Sequence, residues 1–160
     1  MARTRTLELE QHLPFLRREW VVQAIGLWLL AAFVVLAAGG VFGSGPASRA
    51  VISAPDLELQ FDRFVRASRA SELRVTLAPD EPGSATAWVS QAYLAEVELV
   101  GMDPEPVSTH TAGGRTGFRF EATSPLRVIF RIVPRHAGRL SGEIGRGGSA
   151  GHAFRQFVYF

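Results

Sequence analysis

Few side chains in this chain of 160 residues could do chemistry, and most are spaced wrongly for it. Gly147, Gly148, Ser149, Ala150 and Gly151 match G-x-S-x-G, the turn that presents a serine nucleophile between a strand and a helix. That chemistry needs an acid and a histidine later in the chain, and only His152 follows. The surroundings read as a hairpin, so the run is expected to be a flexible loop. Without a helix after it, the run also lacks the positive N-terminus of a phosphate-cradling loop. His110, His136 and His152 have no second histidine or carboxylate at metal-ligand spacing; Asp103 and Glu105, near His110 across a proline turn, make at best a weak site. Copper has still less to hold it, with cysteine absent and methionine confined to Met1 and Met102. Glu96 and Glu98 stand two apart on one expected strand face, and Asp80 with Glu81 occupies a loop. Without a cleft, such carboxylate pairs read as solvated edges. The sequence thus predicts no catalytic residue, no metal and no cofactor.

The element that must position everything else is Trp20 to Ala38, WVVQAIGLWLLAAFVVLAA, nineteen residues without a charge and with Gln23 as the one strongly polar side chain. Ten of them are Val, Ile, Leu or Phe, each worth around −0.3 to −0.6 kcal/mol near a bilayer centre. At about 1.5 Å per residue the run reaches roughly 28 Å, close to the hydrocarbon thickness of roughly 30 Å, so it predicts one transmembrane helix over 20–38. Arg3, Arg5, Arg17 and Arg18 precede the span and only Arg49 follows it closely. By the positive-inside bias, residues 1–19 form a cytoplasmic tail and the chain beyond about Gly39 is exported, which implies an inner-membrane protein in contact with the lipid bilayer. A cleavable signal peptide is the competing reading, because Ala37, Ala38, Gly39 and Gly40 are small; its usual apolar core of about 7 to 15 residues is shorter than this one. Residues 39–55, opening with GGVFGSGPASRA, read as a flexible tether.

Composition bounds the remaining 56–160. No cysteine is present, so an exported domain here has no disulfide framework and its core must stand alone. All seventeen basic residues are arginine, a bias that looks like a GC-rich bacterial source. Residues 51–114 carry four Arg against ten Asp and Glu, whereas residues 115–160 carry eight Arg against Glu121 and Glu143. The halves should attract each other within one fold, leaving no basic face and therefore no nucleic-acid partner.

From Asp56 the hydrophobic period becomes two. Leu57, Leu59 and Phe61 form one face of a strand; Leu73, Val75 and Leu77 form another; Val97 and Leu99 follow after an ambiguous stretch from Trp88 to Tyr93. Phe118 and Phe120 come after a loop of Gly113, Gly114 and Gly117, and Val128, Phe130 and Ile132 give the clearest alternation in the chain. Leu140 and Ile144 mark a further strand, and His152 to Phe160 the last. Six to eight short strands without an amphipathic helix between them predict an all-β, immunoglobulin-like antiparallel β-sandwich.

The chain ends FRQFVYF, with four aromatic residues in seven. Alternation sends Phe154, Val158 and Phe160 into the core and Phe157 and Tyr159 outward, so Phe157 and Tyr159, with the Gln156 amide beside them, are the candidate interaction residues. The segment from Pro125 through Phe160, with PLRVIFRIVPRHAG, a further strand, a glycine-rich hairpin and the terminal Gln156, Phe157, Val158 and Tyr159, resembles small single-span envelope proteins of unknown function from Proteobacteria and Actinobacteria. Those usually carry Pro where this chain has Phe160, and they tend to be encoded beside YetF-like multi-pass membrane proteins. The resemblance implies a multi-pass membrane partner and no activity. Three function classes are then expected: a non-catalytic accessory subunit docking on such a partner, a periplasmic ligand-binding β-module, or an oxidase-assembly protein of FixH-like topology. A docking subunit should show an exposed apolar patch, and a binding module a concave pocket with convergent polar groups.

Overall fold

The computed structural model describes residues 13–38 and 48–160, which fall in two separate units. The expected tail before Leu13 and the tether over residues 39–47 lie outside the described residues. In the first unit, α1 is a helix of 26 residues, Leu13–Ala38, that begins before Trp20. Its stretch Arg18–Ala38 has a mean hydropathy of 2.4, and none of it is buried by the protein. A helix apolar on all sides and uncovered is long and apolar enough to cross a membrane.

The second unit is a β-sandwich. Its elements are β1 Arg49–Ser53, β2 Leu57–Asp62, β3 Phe64–Arg66, β4 Ser71–Leu77, β5 Ser84–Ser90, α2 Gln91–Glu96, β6 Val97–Asp103, β7 Ser108–Ala112, β8 Arg115–Glu121, β9 Leu126–Pro134, β10 Gly138–Arg146 and β11 His152–Tyr159. One sheet runs β1-β2-β4-β9-β6 and the other β3-β11-β10-β5-β8-β7. This is the immunoglobulin-like architecture expected from the alternation, with one departure: β3 pairs parallel to β11, placing Phe64 opposite Phe157 and Arg66 opposite Tyr159. The parallel pair arises because the chain leaves the first sheet after β2, adds the short edge strand β3 to the second, and returns to the first at β4.

Period-two patterning decides which residues are inside. Leu57, Leu59, Leu73, Val75, Leu77, Val128, Phe130 and Ile132 from one sheet meet Ala85, Ala87, Val89, Phe118, Phe120, Leu140, Ile144, Phe154 and Val158 from the other, all buried. Phe118 stacks edge-on to Phe130 at 5.6 Å between ring centres, and Phe154 lies 5.4 Å from Phe61 and 4.9 Å from Tyr93. Such aromatic pairs join the layers with geometry as well as area.

Four local expectations are corrected. Residues 49–53 of the expected tether form β1, because Ala50 and Ile52 pack inward along β2 while Arg49 and Val51 face out. A helix interrupts the strands after all: α2 carries the chain from one sheet to the other and is pinned by Tyr93, whose ring fills the space over Gly142. Glu96 ends that helix, so it shares no strand face with Glu98. Gly117 belongs to β8, where the ring of His110 on β7 occupies the space a Cβ would need; the turn itself is Gly113 and Gly114, both with positive φ. β7 has no apolar alternation because it is an exposed edge strand, which left it without a hydrophobic signature.

Candidate functional site

The last strand divides its side chains between two environments. Phe154, Gln156 and Val158 point inward and are buried; Phe157 is 50% exposed on the opposite face, Tyr159 is half-buried, and Phe160, beyond the strand, is 91% exposed. Phe160 therefore does not reach the core as the alternation suggested, because pairing stops at Tyr159.

Gln156 is an interior residue. The Tyr93 hydroxyl donates to its Oε1 at 2.8 Å, and its Nε2 donates to the Asp62 carbonyl at 2.8 Å. These bonds join α2, β11 and β2, so one amide ties both sheets together. Burial pushes the Tyr93 hydroxyl well above its ordinary pKa, so that it stays protonated and serves as the donor. The amide satisfies the domain itself and holds the end of β2 at the point where the chain departs for β3.

That departure opens a cleft of about 630 Å³, lined by Arg49, Gln60, Asp62, Phe64, Arg66, Arg69, Ser71, Glu72, Arg74 and Tyr159 among others. Its walls are fixed from both sheets. The buried Ser48 accepts the Phe64 N–H through its Oγ at 3.2 Å and the Arg63 N–H through its carbonyl at 2.7 Å, which sets Arg49 at the rim. Ala67 N–H donates to the Tyr159 carbonyl at 2.7 Å and Ser68 N–H to the Pro134 carbonyl at 3.1 Å, with Ser68 in the left-handed region at φ 58°. The turn bearing Arg66 and Arg69 is thus hydrogen-bonded to both layers. Within the cleft Arg74 is held by Glu72 at 2.7 Å, and Arg131 approaches the same carboxylate at 4.0 Å. Arg49, Arg66 and Arg69 have neither an ion pair nor a side-chain hydrogen bond among the described residues, and Ser71 Oγ is buried without a partner.

No family model matches the sequence, and no curated protein does. Among solved structures, the cohesin module from the family 33 glycoside hydrolase of Clostridium perfringens ATCC13124 aligns at 13% identity with a TM-score of 0.44, over 64% of this chain and 95% of that one.

The other sequence candidates are dispersed. Ser149 Oγ donates to the Arg146 carbonyl at 2.6 Å and accepts the Arg146 N–H at 3.2 Å, closing the β10–β11 turn. Asp80 accepts the Thr86 N–H at 2.9 Å, and Glu81 pairs with Arg119 at 3.2 Å. His110 lies on β7, His136 in the turn after β9 and His152 at the start of β11; among the described residues no three potential ligands gather for a metal ion. The two halves of the sequence do attract, through Arg119–Glu81, Arg131–Glu72 and Arg146–Asp56. The expectation that no basic face survives fails at the cleft. Of its arginines, Arg66, Arg69 and Arg74 lie close together in the sequence, whereas Arg49 comes from β1.

Proposed function

We propose that this chain is a single-pass protein of the bacterial inner membrane, with its N-terminus in the cytoplasm and its β-sandwich exported, and that it acts as a non-catalytic accessory subunit docking on a multi-pass membrane partner. The helix α1, apolar on every side, supports the anchor, and the four-to-one arginine asymmetry around it supports the orientation. One observation carries the docking reading: the outer side of β11 presents Phe157 and the adjoining Phe160 to solvent, beside Phe64 on the edge strand β3. Exposed rings at a short sheet edge are costly unless a partner covers them. An anchored domain meets partners held in the same membrane more readily than soluble ones, which favours an integral membrane protein as the occupant.

The test is affinity purification of the full chain in mild detergent, followed by mass spectrometry, for the wild type and for Phe157→Ser with Phe160→Ser. A multi-pass membrane protein should accompany the wild type at fixed stoichiometry and be lost from the double variant while its circular dichroism is unchanged. Equal recovery with both chains removes this edge from the interface; a wild-type chain that purifies alone, or only with copies of itself, overturns the docking reading. A reporter fused after Phe160 checks the orientation, since activity on the cytoplasmic side contradicts it.

A further inference from the structure

The cleft at the β2–β3 crossover goes beyond the docking reading and involves different residues. It offers four guanidinium groups, from Arg49, Arg66, Arg69 and Arg74, against two carboxylates, Asp62 and Glu72. Glu72 is engaged by Arg74 and Arg131. Asp62 stands opposite Arg49 in the β1–β2 register, yet no ion pair forms between them. Among the described residues three guanidinium groups thus line the cleft without an ion pair, against the single unpaired carboxylate of Asp62, an excess that concentrates positive potential there. Their backbones are fixed by β1, β3 and the turn tied to Tyr159 and Pro134, so an anion would meet donors already in place.

We infer that this cleft binds a phosphate-bearing hydrophilic ligand, with Arg66, Arg69 and Arg49 as the charged donors. Arginine forks match the oxygens of a phosphate in two-bond geometry, and a tetrahedral phosphate can accept from several directions at once where a planar carboxylate accepts in one plane. The volume of about 630 Å³ suits a ligand of headgroup or sugar-phosphate size. Two sources share this chemistry: the headgroup of an anionic phospholipid and a soluble phosphate ester. Nine residues, 39–47, connect Ala38 to Ser48 in the sequence, no more than about 36 Å of extended chain, so headgroups are an accessible source for an anchored domain.

The experiment titrates the full chain in a neutral sugar detergent at low salt, by calorimetry, with glycerol 3-phosphate and separately with dihexanoyl phosphatidylglycerol. Glycerate and dihexanoyl phosphatidylcholine serve as the carboxylate and zwitterionic comparisons. At least one phosphate probe should bind ten times more tightly than its comparison. Arg66→Gln with Arg69→Gln should weaken that binding at least tenfold, Arg49→Gln should weaken it severalfold, and Arg127→Gln with Arg135→Gln, which removes the same charge from outside the cleft, should leave it unchanged. Binding of both probes assigns a soluble ester, and binding of the lipid alone assigns the headgroup; either supports the inference. It is overturned if neither probe binds, if glycerate matches glycerol 3-phosphate, or if the Arg127 and Arg135 pair costs as much as the Arg66 and Arg69 pair. Arg66→Lys with Arg69→Lys, which keeps the charge and loses the fork, guards against misfolding of the Gln variant and should recover only part of the affinity.

Discussion

The two ends of β11 carry opposite balances of polar groups. At its start, the glycine-rich turn holds Ser149 with both its donor and its acceptor used by Arg146, while Arg146 Nη1 donates to the Pro79 carbonyl at 3.2 Å and its guanidinium lies 3.5 Å from Asp56. At its end, beside Tyr159, Arg49, Arg66 and Arg69 line a cleft with no ion pair among the described residues. The end that spells a catalytic motif has its charge matched, Arg146 against Asp56, although Arg146 Nε and the Trp88 indole N–H beneath it make no hydrogen bond; the end that spells nothing has guanidinium groups in excess of carboxylates. Potential for binding lies in charges left unpaired within a cleft, not in a letter pattern that the fold has already used to close a turn. Between the two ends, Gln156 serves the interior, so one strand carries a structural amide and borders two quite different surfaces.

The largest effect expected is in the core that holds both ends in place. Phe130→Ala should cost about 3 to 5 kcal/mol in chemical denaturation, a large share of the roughly 5 to 15 typical of a domain, and should abolish any contrast between the ends by unfolding both. Unchanged denaturation would contradict the packing of β9 against β8. Gln156→Ala should cost about 1 to 3 kcal/mol, because it strands the Tyr93 hydroxyl and the Asp62 carbonyl in the interior. It should also weaken phosphate binding at the cleft, since Asp62 sits in the cleft wall, and leave the Ser149 turn intact by backbone amide exchange.

The strands were legible in the sequence wherever one face is apolar and the other polar. Leu57, Leu59 and Phe61, or Val128, Phe130 and Ile132, announce their faces because a slip of one residue would expose all of them. β1 and β7 were not legible for the opposite reason: β1 is short and has a single fully buried residue, Ala50, and β7 has none. Alternation puts Gln156 on the inward face with Phe154 and Val158, but which groups its amide would satisfy there does not show in the sequence. Its partner Tyr93 sits 63 residues away in the sequence on a helix too short to show a period. The cleft residues were each visible as arginines, but Arg49 and Arg74 are 25 positions apart and meet only through the crossover of β2 to β3 and back to β4.

The knot around Gln156 also sets a pH limit. Tyr93 has its folded-state pKa raised above the unfolded value of 10.0 by burial, so at pH above about 10 the unfolded chain releases a proton that the folded chain keeps. Stability contributed by the neutral hydroxyl is full below pH 10 and declines above it, by up to about 1.4 kcal/mol per pH unit. Tyr93→Phe should remove this component of alkaline unfolding, and an unaltered alkaline midpoint would place the titrating group elsewhere. The smallest effect sharpens the contrast between the ends. Ser149→Ala should cost about 1 kcal/mol or less in thermal unfolding and change no ligand affinity, because its hydroxyl only closes a turn. Any loss of a hydrolytic or binding activity in that variant would restore the motif reading.

The contrast itself is tested most directly by nitrogen-labelled arginine side-chain resonances of the full chain in detergent, recorded during titration with dihexanoyl phosphatidylglycerol and with glycerol 3-phosphate. The Nε–Hε signals of Arg66, Arg69 and Arg49 should shift together with one saturating affinity for at least one probe, while Arg146 at the other end of β11 stays in place. Shifts at Arg146 equal to those in the cleft, or no saturable shift at any of the four, would contradict the account.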